Sequence, residues 1–73
     1  MQVKVANRMY RMSRNEFEGL LKVASEQVPF GIYAVTKGGY AELRCDRCKS
    51  KTELKRAKQN FKSQGFKVYA NGG

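Results

Sequence analysis

The sequence has no histidine and only six acidic residues among its 73 positions. Histidine is the side chain that most often serves as a general acid or base near neutral pH, so its absence removes the commonest route to proton transfer. The sequence also has no Gly-x-Ser-x-Gly motif and no phosphate-binding glycine loop leading into a helix. We therefore expect a protein that is not an enzyme and uses no cofactor.

Cysteine is also scarce, with only Cys45 and Cys48. A structural zinc site needs four ligands, usually cysteine and histidine, so only a site shared between two chains remains open. A thiol redox function is another alternative, because Cys48 lies among basic residues just before a predicted helix, and both features lower a thiol pKa. We predict instead that Cys45 is a small core residue and that Cys48 is an exposed thiol without a role.

The sequence contains no apolar run near the roughly 20 residues that span a bilayer, and its first residues lack the apolar core of a secretory signal. Its 41% hydrophobic and 29% charged residues are typical of a globular protein. We expect one cytoplasmic domain over residues 1–73, without a membrane partner. Residues 70–73 are expected to form a flexible tail.

Positive charge is what the sequence has in excess, with fifteen basic residues and a net charge of +9. Residues 44–73 contain nine basic and two acidic residues, whereas residues 1–43 contain six and four. Such an uneven distribution produces a field that attracts an anionic partner. Composition alone leaves open whether that partner is nucleic acid, an acidic protein surface or an anionic membrane.

Two stretches carry the start signal of a helix. Residues 13–16 and 50–53 each have the serine and glutamate spacing of a capping box, and apolar residues at helical spacing follow both. Pro29 ends the first predicted helix, and Gly65 is well placed to end the second. Gly19 lies inside the first helix, where glycine is costly, so we expect it to mark a close contact with a strand.

Four segments are rich in β-forming residues or alternate apolar with polar side chains, namely residues 2–10, 30–36, 40–47 and 66–70. Glycines at 38 and 39 predict an antiparallel hairpin between the second and third. The order βαββαβ predicts an α+β fold of the ferredoxin-like kind. This is a two-layer sandwich in which a four-stranded antiparallel sheet has two helices on one face.

In that arrangement one sheet face is open to solvent. Alternation directs these residues toward the helices: Val3, Val5, Phe30, Ile32, Ala34, Ala41, Leu43, Phe66 and Val68. It directs these toward the open face: Lys4, Tyr33, Val35, Tyr40, Glu42, Arg44, Lys67 and Tyr69. Tyrosines beside basic residues suit single-stranded nucleic acid, because bases stack on the rings and cations contact phosphates. Such a face also suits self-association into a homodimer.

The second helix has four lysines along one flank, at spacings of four, three and four residues: Lys51, Lys55, Lys58 and Lys62. Like charges at these spacings destabilise a helix, and Glu53 is the one acidic residue within the stretch. A bound anion would relieve this repulsion. The alternative is a solvated surface helix whose lysines only increase solubility.

Two short motifs resemble the RNA recognition motif family. Residues 3–9, VKVANRM, are similar to the first-strand motif of that family, although Lys4 stands where its stacking aromatic belongs. Residues 37–43, KGGYAEL, are similar to part of its third-strand motif, without the aromatic and valine that follow. The resemblance implies a shared order of strands and helices and assigns no functional residue.

Together these patterns predict a small basic protein that binds nucleic acid. The expected contacts are Arg44, Arg47, Lys49, Lys51, Lys55, Lys58 and Lys62, with Tyr40, Lys67 and Tyr69 on the sheet. With about five phosphate contacts, log K falls with log salt at a slope of roughly −3.5 to −4.5. The main alternative is a protein-interaction module, such as the small accessory or inhibitor proteins that phages and mobile elements encode. A thiol redox protein or an inter-chain metal site is a weaker alternative.

Overall fold

The computed structural model describes residues 1–72. The elements follow one another as β1 (Gln2–Val5), β2 (Arg8–Arg11), α1 (Arg14–Gln27), β3 (Gly31–Lys37), β4 (Tyr40–Arg47), α2 (Lys51–Ser63) and β5 (Lys67–Asn71). The strands form one sheet in the order β2-β1-β4-β3-β5. Neighbouring strands are antiparallel except for β1 and β4, which are parallel. The predicted α+β class is confirmed, as are the two helices.

Local capping sets the helix boundaries. At the start of α1, Ser13 Oγ accepts from the Glu16 N–H at 3.2 Å, and the Ser13 N–H donates back to Glu16 Oε1 at 3.3 Å. This is the predicted capping box. The end of α2 has Gly65 at φ +89, and the Phe66 N–H donates to the Phe61 carbonyl at 3.2 Å. The two phenyl rings also meet edge to face, so the glycine ends α2 in a Schellman motif.

The predicted first strand is instead a hairpin of two strands. Ala6 and Asn7 have φ values of +47° and +70°, which reverse the chain in a two-residue turn between β1 and β2. Val3 then pairs with Tyr10 across the hairpin. The turn escapes sequence analysis because it lacks glycine, and because alanine rarely adopts a positive φ.

The last strand lies at the opposite edge of the sheet from the edge that a ferredoxin-like sandwich requires. In the ferredoxin-like order the final strand pairs with the first strand, whereas β5 pairs with β3. The pairings make β2 parallel to β3, which α1 connects, and β4 parallel to β5, which α2 connects. The connection from β2 to β3 and the connection from β4 to β5 move across the sheet in the same direction. However, β2 and β3 are antiparallel to β4 and β5. Right-handed crossovers therefore put α1 and α2 on opposite faces.

Two separate cores reflect this arrangement. Phe17 of α1 packs with Val3 and Ala41 on one face of the sheet. Leu54 of α2 packs with Ile32 and Val35 on the other face. The predicted two-layer sandwich with both helices on one face is therefore wrong. So is the strand topology that the resemblance to the RNA recognition motif implies.

An irregularity in β3 places Ile32 and Ala34, both predicted to point inward, on opposite faces of the sheet. The pairing register shifts between Ile32 and Ala34, so Ile32 and Val35 face α2 together. Val35 shares a face with Glu42, as predicted, but α2 covers that face at Val35, which is fully buried. Phe66 and Val68, predicted to share a core with Val3, also pack beneath α2.

Two smaller predictions also need correction. β5 continues to Asn71, two residues into the predicted tail, and the Asn71 amide donates to the Ser25 and Val28 carbonyls at 3.0 and 3.1 Å. Of the two remaining tail residues, Gly72 is exposed and Gly73 lies outside the described residues. Gly19 is exposed, and a Cβ there would meet no atom within 4 Å, so it marks no close contact.

Candidate nucleic-acid interface

The four predicted lysines of α2 lie along one side of the helix, and packing fixes their direction. Leu54 is 2% exposed and Phe61 packs beside it against the sheet, which sets the rotation of α2 about its axis. The lysines line a groove with Gly72, immediately after β5, so they overhang this edge of the sheet. We call this set the lysine ridge: Lys51, Lys55, Lys58 and Lys62.

The charge of the ridge is not neutralised from within the described part of the chain. Both ion pairs found there belong to Arg44. Glu53, the acidic residue nearest to the ridge in sequence, accepts a hydrogen bond from the Lys49 backbone N–H at 3.1 Å and supports the start of α2. Lys58 is half-buried and the other three lysines are exposed. Within residues 1–72 the ridge is therefore a row of four lysines without an acidic partner.

Arg44, predicted to contact phosphate, is engaged inside the protein. Its guanidinium donates to Glu42 Oε1 at 2.6 Å and to the Asp46 carboxylate, and it lies 4.9 Å from the centre of the Phe61 ring. The hydrogen bond to Asp46 is the main reason that the pKa of Arg44 is raised. An arginine held by two carboxylates offers little net charge to a phosphate.

Arg47 and Lys49, which were also predicted to contact phosphate, follow Arg44 in the chain. Arg47 is exposed and donates from Nη2 to the Gln27 carbonyl at 3.1 Å, at the end of α1. Lys49 is exposed in the short loop before α2. Of the two, Lys49 is closer in the chain to the lysine ridge.

The predicted tyrosine face is divided between the two faces of the sheet. Tyr40 shares the α2 face with Glu42 and Arg44, and its hydroxyl donates to Glu42 Oε2 at 3.1 Å. Burial, followed by this hydrogen bond, raises the pKa of Tyr40. Tyr69 pairs with Ala34 and Lys67 pairs with Thr36, which places both on the α1 face. The structure therefore separates Tyr40 from Lys67 and Tyr69.

A smaller aromatic cluster exists on the α1 face. The rings of Tyr33 and Tyr69 are 6.3 Å apart between centres, and Lys67 Nζ lies 5.2 Å from the centre of the Tyr69 ring. We call the two rings the tyrosine pair. Both tyrosines are half-buried, and Tyr69 belongs to the edge strand β5. The pair and the lysine ridge thus border the same edge of the sheet from opposite faces.

Sequence reasoning missed a second basic surface, because it did not detect the hairpin that forms it. Arg8 and Arg11 are exposed on β2, the strand at the other edge of the sheet. It also omitted Arg56, which is exposed on α2 away from the ridge. The basic residues near the N-terminus could have indicated this surface, but only the turn at residues 6–7 places Arg8 and Arg11 together on an edge strand.

The two cysteines have the reverse of their predicted positions. Cys45 is exposed, whereas Cys48 is partly buried against the core beneath α2. Burial raises the pKa of the Cys48 thiol, and the nearby carboxylates of Glu53 and Asp46 raise it further. A raised pKa lowers the thiolate fraction at neutral pH, so the geometry does not support the thiol redox alternative.

Within residues 1–72, no cluster of three or more cysteine, aspartate or glutamate side chains is arranged to hold a metal ion. No helix in that part of the chain is long and apolar enough to cross a membrane. Comparisons with profiles of known protein families, with curated proteins and with solved structures find no match to this chain.

Proposed function

We propose that this protein binds the phosphate backbone of nucleic acid through the lysine ridge and that it has no catalytic role. The observation that carries the proposal is the row of lysines on one side of α2, none of which has an acidic partner among the described residues 1–72. Repulsion within the row costs the helix stability, and an anionic polymer with regularly spaced charges offsets that cost along its whole length. The proposal is compatible with a cytoplasmic location.

The dimensions of the ridge support several simultaneous phosphate contacts. Lys62 follows Lys51 by eleven residue positions, which is about 16 Å along a helix axis at about 1.5 Å per residue. Phosphates of one strand in a duplex advance by about 3.4 Å, so this length spans about five of them. Four lysines are therefore matched in number and extent to one short run of backbone.

The tyrosine pair adds a feature suited to single strands. A strand that crosses the β5 edge meets the ridge on one side and the half-buried rings on the other, with Lys67 next to Tyr69. Stacking of a base on an exposed aromatic ring contributes about 1 to 3 kcal/mol and tolerates any sequence. We assign no contact to Arg44 or Tyr40, because both already bond to Glu42.

Salt dependence tests the proposal quantitatively. Four contacts predict that log K falls with log salt at a slope of about −2.8 for a single strand and about −3.6 for a duplex. Affinity then falls about 50-fold or about 150-fold, respectively, between 50 and 200 mM salt. Fluorescence anisotropy of labelled 12-nucleotide strands and 12-base-pair duplexes measures both slopes.

A charge-matched pair of variants separates the ridge from the general charge. Lys55→Gln/Lys62→Gln removes two exposed ridge lysines, and the slopes should change to about −1.4 and −1.8. Lys22→Gln/Arg56→Gln removes the same charge from exposed positions on α1 and on the far side of α2 and should keep the original slopes. Equal losses in both variants, or no binding by the unmodified protein, would refute the ridge as a nucleic-acid site.

A second candidate function is binding of an acidic protein segment. It is favoured by one observation, namely that β5 is an edge strand with the lysine ridge beside it. An extended acidic peptide can add to such an edge through main-chain hydrogen bonds, while its carboxylates meet the lysines. Competition of a glutamate-rich peptide against the labelled strand tests this. If the peptide displaces the labelled strand at a lower concentration than unlabelled nucleic acid does, a protein partner is favoured. Light scattering separately shows whether the protein forms a homodimer.

A further inference from the structure

The hairpin of β1 and β2 forms a second basic surface that the proposed function does not use. The first fifteen residues contain four basic and no acidic side chains. All four residues of β2 are exposed, and neither helix covers that strand. Arg8 and Arg11 have no ion pair, as both ion pairs in the described residues involve Arg44. We call this element the arginine hairpin.

The arginine hairpin also exposes two large apolar side chains. Met9 is 52% exposed and Tyr10 is 44% exposed, on opposite faces of β2. One explanation for charged residues on an edge strand is that they prevent aggregation. That explanation accounts for the arginines, but an edge that only needs protection gains nothing from an exposed methionine and tyrosine between them. Arginine beside an exposed aromatic ring is suited to contacting both phosphate and base.

Topology separates this hairpin from the lysine ridge. β2 and β5 are the two edge strands of the five-stranded sheet. Four strand spacings of about 4.8 Å lie between them, which gives about 19 Å. Glu42 and Asp46, on β4 between the two edges, interrupt the positive surface on the α2 face. One short, straight backbone segment therefore does not follow a continuous basic path from the ridge to the hairpin.

We propose that the arginine hairpin is a second nucleic-acid contact, so that one protein molecule bridges two nucleic-acid segments. The inference rests on the proposed function of the ridge and adds a second site at the opposite edge. Its positive charge is complementary to phosphate, and the edge strand β2 presents an arginine on each face, since Arg8 pairs with Val5 and Arg11 with Gln2. Because the two edges lie too far apart for one short segment to follow a continuous basic path, each edge binds a different nucleic-acid segment.

Energy transfer between two labelled nucleic acids tests the proposal. Donor-labelled and acceptor-labelled 10-base-pair duplexes, and separately 10-nucleotide strands, are mixed with the protein. Bridging gives a transfer signal that rises and then falls as protein is added in excess, because each segment then binds a separate protein molecule. The variant Arg8→Gln/Arg11→Gln should lose that signal, while its affinity for one labelled segment at the ridge changes by less than about threefold.

The outcomes separate this inference from the proposed function. If the unmodified protein binds single segments but gives no transfer signal, bridging is refuted and the ridge still stands. If no segment binds at all, both proposals fail. If the hairpin variant gives the same transfer signal as the unmodified protein, the hairpin is not a nucleic-acid contact. The same conclusion follows if the variant loses the signal and light scattering shows that a dimer has dissociated. Lys22→Gln/Arg56→Gln is the charge-matched control and should bridge normally.

Discussion

The substitution Val35→Thr tests directly whether the two helices lie on opposite faces of the sheet. Valine and threonine have nearly the same shape, and both favour strands, so the change replaces a methyl group by a hydroxyl with little effect on strand propensity. In the structure Val35 is fully buried with Ile32 and Leu54 beneath α2. On the open face of a two-layer sandwich the same position would be solvated.

The expected cost follows from burial of the hydroxyl among apolar side chains. An unpaired buried hydroxyl costs about 1 to 3 kcal/mol in proteins. A domain of this size is stable by roughly 4 to 11 kcal/mol, so the loss is a large fraction of its stability. A loss of about 2 kcal/mol lowers the melting temperature by about 8 to 16 °C. A solvated position would instead change stability by at most about 0.5 kcal/mol.

Urea unfolding followed by circular dichroism measures this difference. Val23→Thr is the matched control, because Val23 is 51% exposed on α1 and undergoes the same chemical change. We expect Val35→Thr to lower the unfolding midpoint clearly and Val23→Thr to leave it nearly unchanged. Equal midpoints for the two variants would mean that Val35 is not covered, and the opposite-face arrangement would be refuted.

Three further predictions follow from single residues. Gly19→Ala should raise the free energy of unfolding by about 0.5 to 1 kcal/mol, because a Cβ there meets no atom; destabilisation in urea unfolding would contradict this. Asn71→Ala should lower the same quantity by about 1 to 3 kcal/mol, because the Val28 carbonyl loses a donor; an unchanged midpoint would contradict it. In the folded protein at pH 7.5, iodoacetamide should modify exposed Cys45 well before Cys48, and modification of Cys48 should accelerate as the pH rises toward its raised pKa; mass spectrometry of peptides would reveal the reverse order.

The helices and three of the strands could be predicted because their signals are local. The capping serine of each helix acts over three residues, although only α1 has the complete predicted capping box, because Glu53 accepts from the Lys49 N–H instead of the Ser50 N–H. Gly65 acts through its own backbone angle. The glycines at 38 and 39 likewise fix the hairpin between β3 and β4 by themselves. Such features depend little on the rest of the chain, so the sequence contains them explicitly.

The arrangement of the strands could not be predicted in the same way. The turn at Ala6 and Asn7 uses positive φ values without glycine, so no turn signal divides β1 from β2. The position of β5 depends on whether it pairs with β3 or with the first strand, and its alternating residues suit either partner. The shift in register at Ile32 then exchanges the faces of neighbouring residues. Each of these is a long-range choice between pairings of similar local quality.

The candidate site likewise has one part that the sequence predicts and one part that it does not. The lysine ridge was predictable, because helical spacing alone brings its members together, and packing of Leu54 only decides which way they point. The tyrosine face was not predictable, because strand order and register determine which residues share a face of the sheet. Tyr40 and Tyr69 occupy opposite faces for that reason, and Tyr33 joins Tyr69 through the irregularity in β3.

One topological feature therefore accounts for both the missing open face and the two basic edges. If β5 paired with β2, at the other end of the sheet, the second crossover would reverse its direction, and α2 would join α1 on one face. The arginine hairpin would then no longer be an edge, and the lysines would flank a flat tyrosine surface. Because β5 pairs with β3, α2 projects its lysines over one edge and leaves β2 exposed at the other. The two separated polyanion contacts that we propose therefore depend on the pairing of β5 with β3.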